Sequence, residues 1–256
     1  MTRGTRKIGQ VCWINILTPK PEAARAFFGE TLGWTYVDIP GMGHRIQVGG
    51  RDIGGLFDVV SPQTPEGTAP ILGVMIKVED VQASFARVNA LGGEARPPFD
   101  IGESGWLSVC FDPSGAEFDL WQPKSMQGTD VDSSLPGAPS WFEVFATDLD
   151  RTSQFYAELL GWKVQALPPP TPDSNYTLFQ LSGEPVAGAM SLTPRMGRIA
   201  PHWRTYFTTS DIETTVRIAV ERGAKLDMSI KDVPGGRISG LISPQGVEFC
   251  LSQRES

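Results

Sequence analysis

The chain has 256 residues, 40% of them hydrophobic and 20% charged, with a formal net charge of -7. That acidic balance repels phosphate backbones and no Lys/Arg cluster interrupts it, which excludes nucleic acid as a partner. The basic start MTRGTRKIGQVCW leads into no apolar run of signal-peptide length and nothing later approaches a membrane span, so a cytoplasmic protein, monomeric or homodimeric and without a membrane partner, is expected.

In chain order, Val11–Leu17 is a strand-sized run of β-branched and aromatic residues. After Thr18-Pro19, the spacing of Ala23, Ala24, Phe27, Phe28 and Leu32 predicts one helical face closed by Gly33. Short strands are predicted at Trp34–Asp38, Arg45–Gly49 and Asp52–Asp58, then at 71–78. Asp80 can cap a helix over 81–91 that Gly92-Gly93 ends, and three more short strands follow, the last of them AEFDLWQ at 116–122. The order then returns as strand 141–147, helix 149–160, strands to about 193, strand 203–209, helix 211–222 and strands to 252.

The recurrence is also literal. WINILTPKPEAARAFFGETLGW (13–34) aligns without a gap on WFEVFATDLDRTSQFYAELLGW (141–162) at an offset of 128, and DPSGAEFDL (112–120) on SPQGVEFCL (243–251) at an offset of 131. The chain therefore reads as α+β, with four βαβββ modules forming two domains of cupped mixed sheets at 8–122 and 139–253. The Pro/Gly/Ser/Asp-rich segment 123–138 reads as a linker. A sheet of this kind needs a partner, so modules are expected to pair with concave faces toward one another, within a half or across halves. Cys12, Cys110 and Cys250 form no C-x-x-C pair and read as buried thiols.

LGW after an aromatic-rich helix, then LGGE, then FDPSGAEFDLWQP resembles the vicinal oxygen chelate superfamily of glyoxalases, extradiol dioxygenases and bleomycin and fosfomycin resistance proteins. The tandem arrangement is similar to the two-domain glyoxalase-like proteins of actinobacteria. The resemblance implies metal ligands on the first strand of a module, usually His or Gln, and on its last strand, usually Glu. Those positions fall on Trp13, Trp141, Gly73 and Arg204, on Asp119 and Cys250, and near Leu56 and Ala189. Such side chains do not assemble about three convergent ligands, and His44 and His202 lie in different halves, so no metal and no cofactor is expected.

Side chains at i and i+2 of a strand share a face. Trp13 with Asn15, Asp119 with Trp121, Trp141 with Glu143, His202 with Arg204 and Tyr206, and Glu248 with Cys250 are thus inward groups if the resemblance holds. An aromatic wall with a few polar groups suits a small hydrophobic or aromatic metabolite. Trp13, Asn15, Asp119, Trp121, Trp141, Tyr206 and Cys250 are ligand-binding candidates, and Glu143, His202 and Arg204 are catalytic candidates. Plainer roles stand beside these: Trp13 and Trp141 as core fillers, His202 as an exposed strand-edge residue, Glu143 as a structural partner of Arg204. Arg45, Arg51 and Asp38 read as solvated surface or rim, and the loop LPPPTPDSN (167–175) as surface, rim or lid. Three functions fit: sequestration or carriage of a metabolite, metal-free proton-transfer chemistry on a carbonyl compound with Glu143 as base, and a metal enzyme using Asp119, Glu143 and His202.

Overall fold

A computed structural model describes residues 4–59, 69–168, 175–196 and 199–255. The first half runs β1 (Val11–Thr18), α1 (Pro21–Leu32), β2 (Thr35–Ile39), β3 (Gly43–Val48), β4 (Arg51–Asp58), β5 (Ile71–Lys77), α2 (Val81–Ala90), β6 (Glu94–Ala95), β7 (Phe99–Asp100), β8 (Gly105–Phe111) and β9 (Glu117–Pro123). The second runs β10 (Pro139–Ala146), α3 (Leu149–Leu160), β11 (Lys163–Leu167), β12 (Tyr176–Leu181), β13 (Glu184–Ser191), β14 (His202–Thr208), α4 (Ile212–Glu221), β15 (Lys225–Val233), β16 (Gly236–Ile242) and β17 (Glu248–Arg254). Asp80, Asp148 and Asp211 each accept a hydrogen bond from the backbone N–H three residues on, capping α2, α3 and α4. Helix α1 starts on Pro21 without a side-chain cap. Gly33 and Gly161 close α1 and α3 in the left-handed conformation, each at φ 70°.

Each half is one continuous mixed sheet, in the order β2-β3-β4-β1-β5-β9-β8-β6 and β11-β12-β13-β10-β14-β17-β16-β15. Modules pair within a half. They join edge to edge through their first strands, β1 antiparallel to β5 and β10 antiparallel to β14, and not sheet face against sheet face as expected from sequence. The edge-to-edge joint satisfies the backbone groups that would otherwise form an open edge in the middle of the cup. Within a module the first and last strands run parallel, β1 with β4 and β5 with β9. Where the second half has the unbroken β15, the first has two fragments, β6 and β7, because Pro97 and Pro98 remove two ladder donors between them.

The helices seal the sheets in a crossed fashion. Phe27 and Phe28 of α1 meet Phe249 of β17 edge-on at 6.0 and 5.2 Å, while Phe155 and Tyr156 of α3 meet Phe118 of β9 at 6.0 and 5.5 Å. Each half's first helix thus covers the second module of the other half, and one apolar cluster runs through both. The interdomain segment is part of this packing: Val131 and Ser133 are fully buried, and Thr208 Oγ1 donates to the Ser133 carbonyl at 2.7 Å. All three cysteines are free and buried.

Candidate functional site

With one face of each sheet committed to the shared core, the other face forms a cup. Alternation assigns the side chains. On β10, Phe142 and Val144 enter the core cluster, leaving Trp141, Glu143 and Phe145 for the cup. On β14, Trp203 and Phe207 are core, leaving His202, Arg204 and Tyr206; on β17, Phe249 and Leu251 are core, leaving Glu248 and Cys250.

Glu143 is the centre of the second cup, with 7% of its surface exposed. Its carboxylate accepts from the Tyr206 hydroxyl at 2.6 Å on Oε2, and from the Tyr176 hydroxyl at 2.7 Å and the Trp141 indole N–H at 3.1 Å on Oε1. A buried carboxylate needs this number of donors. Burial and the adjoining carboxylate push both phenols above the ordinary tyrosine range, so they stay protonated and donate. Glu143 and Arg204 are register partners, yet the anticipated Glu143–Arg204 pairing does not form. Arg204 turns away to Asp227 at 3.2 Å and Glu248 at 3.9 Å, with its guanidinium 4.7 Å above the Phe145 ring. The two tyrosines take its place: Tyr206 reaches Glu143 diagonally from the neighbouring β14, and Tyr176 reaches it from β12 across the bare Gly188 of β13.

His202 is not an exposed edge residue. Its ring stacks on Phe145 at 5.1 Å and 6°, its Nδ1–H donates to the Ala200 carbonyl at 2.8 Å, and its Nε2 accepts from Arg204 Nε–H at 3.1 Å. Burial lowers its pKa, in keeping with the neutral tautomer those bonds require. Cys250 is 2% exposed, and burial pushes its thiol up to about 12, so it is a thiol at neutral pH and lines the cup as an apolar group. The chain therefore brings Glu143, Trp141 and Tyr206 into direct contact, and His202 with Arg204 into a second group beside them.

Tyr176 escaped the sequence reading. A signal existed in Gly188: a strand glycine marks close backbone approach, and a β-carbon there would collide with the Tyr176 hydroxyl and lie 3.2 Å from Glu143 Cγ. The last-strand positions expected near Leu56 and Ala189 fall one residue before them, because both of those side chains are wholly buried in the core. Gly55 and Gly188 are the residues on the cup face, opposite Asn15 and Glu143.

In the first cup Trp13 and Trp121 are buried with Cys12 and Met75, so Trp13 fills this hollow and not the core between the halves. The Trp121 indole donates to the Met126 carbonyl at 2.9 Å. Asn15 Nδ2 contacts Met75 Sδ at 3.1 Å and hydrogen-bonds the Asp119 carboxyl. Burial, reinforced by Glu117 and opposed by the Asn15 bond, raises Asp119 to about 8. Arg45 and Arg51 are solvent-facing and paired with Asp52 and Asp130. Asp38 is solvent-facing beside His44 and Arg25. Of the possible lid over 167–175, residues 169–174 lie outside the described residues.

Neither cup's positions suit a divalent cation. The register puts Asn15 opposite Gly73 and Gly55, and Glu143 opposite Arg204 and Gly188, so the first-strand positions lie two residues beyond Trp13 and Trp141; Asp119 and Cys250 complete the two sets. One carboxyl in each set of these positions, with asparagine, glycines, a thiol and an arginine in the remaining places, does not fit a three-ligand centre. Among the described residues no group of three His, Cys, Asp or Glu is placed to hold a metal ion. Asp119, Glu143 and His202 belong to different sheets or to separately bonded groups, so they do not form a common ligand set.

Two domains of one superfamily, each built from paired βαβββ modules, account for this arrangement. Residues 13–121 match the Glyoxalase-like domain and residues 138–251 the Glyoxalase/Bleomycin resistance protein/Dioxygenase superfamily. The chain belongs to that superfamily. It is 30% identical to the putative glyoxylase CFP32 of Mycobacterium tuberculosis, covering 97% of this chain and 96% of the relative. It is also 30% identical to the anthracycline biosynthesis protein DnrV of Streptomyces peucetius, covering 95% and 92%. The fold is shared with the Mn(II)-bound glyoxalase of Novosphingobium aromaticivorans, with TM-score 0.66, 14% identity and coverage of 99% and 83%. It is shared too with 2,2',3-trihydroxybiphenyl 1,2-dioxygenase of Sphingomonas wittichii, with TM-score 0.67, 13% identity and coverage of 96% and 91%. No helix among the described residues is long and apolar enough to cross a membrane.

Proposed function

We propose that the second cup binds a hydrophobic aromatic or carbonyl-containing metabolite without a metal ion, in natural-product metabolism or resistance. The observation that carries this reading is the Glu143 carboxylate, held by Tyr176, Tyr206 and Trp141 opposite Arg204, a position where the resemblance implies a metal ligand. A carboxylate has about four acceptor positions, and the three bonds present leave one on Oε2. A ligand hydroxyl can take that position, while Arg204, whose Nε and Nη2 are held by His202 and Asp227, has Nη1 left for a carbonyl oxygen. The flat stack of Phe145 and His202 suits a planar ring. Two Streptomyces relatives named as anthracycline biosynthesis proteins support an aromatic natural product as the ligand class.

Calorimetric titration with a hydroxyanthraquinone such as alizarin tests the reading. Glu143→Gln should weaken binding about tenfold, the scale of one charge-assisted hydrogen bond. Unchanged affinity in that variant, with no turnover lost, would remove Glu143 from the site. A second reading, metal-free proton transfer, is favoured by the same unspent Oε2 position, since a general base needs a lone pair facing substrate. In that case Glu143→Gln abolishes turnover and leaves affinity nearly intact, so one variant separates the two readings.

A further inference from the structure

At the rim where β5 and β9 end lies a hollow of about 500 Å³, large enough for a small organic ligand. It shares no lining residue with the Glu143 group or with Asn15, Gly73 and Asp119. Its wall includes Lys77, the last residue of β5, which is 7% exposed. The N-terminal segment fixes this residue, since the Lys77 amide donates to the Gln10 carbonyl at 3.0 Å and its carbonyl accepts from the Gly9 N–H at 2.8 Å.

The Lys77 Nζ donates to the Arg6 carbonyl at 3.3 Å, the Gln127 carbonyl at 2.9 Å and the Gln127 Oε1 at 3.0 Å. Three acceptors use three N–H groups, so this is an ammonium. All three oxygens are neutral, and among the described residues Lys77 forms no ion pair. A buried cation without an opposite charge beside it is unusual. Two of its acceptors are main-chain carbonyls and stay in place. The third belongs to the solvent-exposed Gln127 side chain, whose remaining bond, from Nε2 to the Lys124 carbonyl at 2.7 Å, lies at the surface where water can replace it. Around the ammonium, Ile8, Val78 and Pro123 give the hollow an apolar side, and the exposed Lys7 adds a second cation. Glu79, the acid among the lining residues, is solvent-exposed.

We propose that this hollow binds a monocarboxylate with an apolar tail, the ligand carboxylate replacing Gln127 Oε1 on Lys77 while the tail lies over Ile8, Val78 and Pro123. The exchange puts a negative charge against the buried ammonium and turns a neutral acceptor into a charge-assisted one. This site stands apart from the Glu143 reading.

The test is calorimetric titration of the full chain with octanoate, and with 1-octanol as the uncharged control of equal chain length. Octanoate should bind, and octanol should bind at least tenfold more weakly, the scale of one charge-assisted hydrogen bond. Gln127→Ala removes the internal competitor and should tighten octanoate severalfold, whereas Lys77→Met should abolish its binding. Because Lys77→Met can also loosen the segment that Lys77 anchors, the Gln127→Ala result decides independently: a lysine that serves only as a structural tie gives no tightening. Glu143→Gln should leave octanoate affinity unchanged, so failure of the second-cup reading does not touch this one. Equal affinity for octanoate and octanol, no gain in Gln127→Ala, or no octanoate binding at millimolar concentration would overturn the proposal.

Discussion

Trp34 and Trp162, 128 positions apart, do the same thing for each other's half. The Trp34 indole donates to the Gly137 carbonyl just before β10, and the Trp162 indole donates to the Gly9 carbonyl just before β1, both at 2.8 Å. Each ring also stacks on its own helix, Trp34 on Phe28 at 5.0 Å and Trp162 on Tyr156 at 5.7 Å. Replacing either by Phe strips the donor and leaves a buried carbonyl unpaired, which costs about 1–3 kcal/mol. Guanidinium unfolding should show similar losses for Trp34→Phe and Trp162→Phe, each with one transition monitored at both halves. Two resolved transitions would contradict a shared core.

Loss of one phenol at Glu143 leaves a buried carboxylate short of a donor. Tyr206→Phe and Tyr176→Phe should each destabilise by about 1–3 kcal/mol, and each loss should shrink where Glu143→Gln is already present. Losses of full size in the Glu143→Gln background would show that the phenols act elsewhere.

Gly188→Ala places a methyl where the Tyr176 hydroxyl sits. We expect a stability loss of about 1–3 kcal/mol from overpacking, together with weakened alizarin binding. Adding Tyr176→Phe, which removes the colliding oxygen, should recover part of the stability and none of the affinity. Both quantities follow from melting curves and calorimetry on the same samples.

Asp119 sets a pH dependence whose sign follows from its raised pKa. Between the ordinary aspartate range and about 8 the folded protein binds more protons at this site than the unfolded chain does, so stability falls as pH rises through that window and levels off above it. The slope is at most about 1.4 kcal/mol per pH unit, reduced by the solvent that reaches the carboxyl. Asp119→Asn should flatten the difference between pH 5 and pH 7.5 in urea unfolding. An unchanged slope would mean that Asp119 is ionised in the folded protein.

Elemental analysis after dialysis against manganese, iron(II) or zinc should recover well below one equivalent per chain, and none of the three should raise the melting temperature through either cup. A stoichiometric ion whose binding disappears in Glu143→Gln or Asp119→Asn would reverse the metal-free reading.

The alternation of β10, β14, β9 and β17 was sufficient to place Trp141, Glu143, His202, Arg204, Tyr206, Asp119 and Cys250 on the cup faces, because a period of two admits one assignment once the core residues between them are known. It failed on β4 and β13. There Gly54-Gly55 and Gly188 give no apolar side chain to mark a face, so the positions could be placed only near Leu56 and Ala189. Who bonds to Glu143 was hidden for another reason: Tyr176, Tyr206 and Arg204 all stand within reach, and the choice between them rests on Asp227, from a strand 84 positions away, drawing Arg204 aside. The segment 123–138 lacks periodicity, as read, yet it is tied down by carbonyls that accept from Trp34, Lys77 and Thr208, a form of anchorage that leaves no hydrophobic pattern.

Crossed sealing by α1 and α3 has a consequence for how this duplicated chain can change. Aromatic rings from one repeat are the missing floorboards of its sibling, so neither repeat is complete without the other, and substitutions on those back surfaces are answered by both. The two hollows lie on the opposite side of each sheet and answer to no such constraint. Their linings already differ, with Trp141, Glu143 and Tyr206 in one and Trp13, Met75 and Trp121 in the other, a divergence that the common interior leaves free to continue.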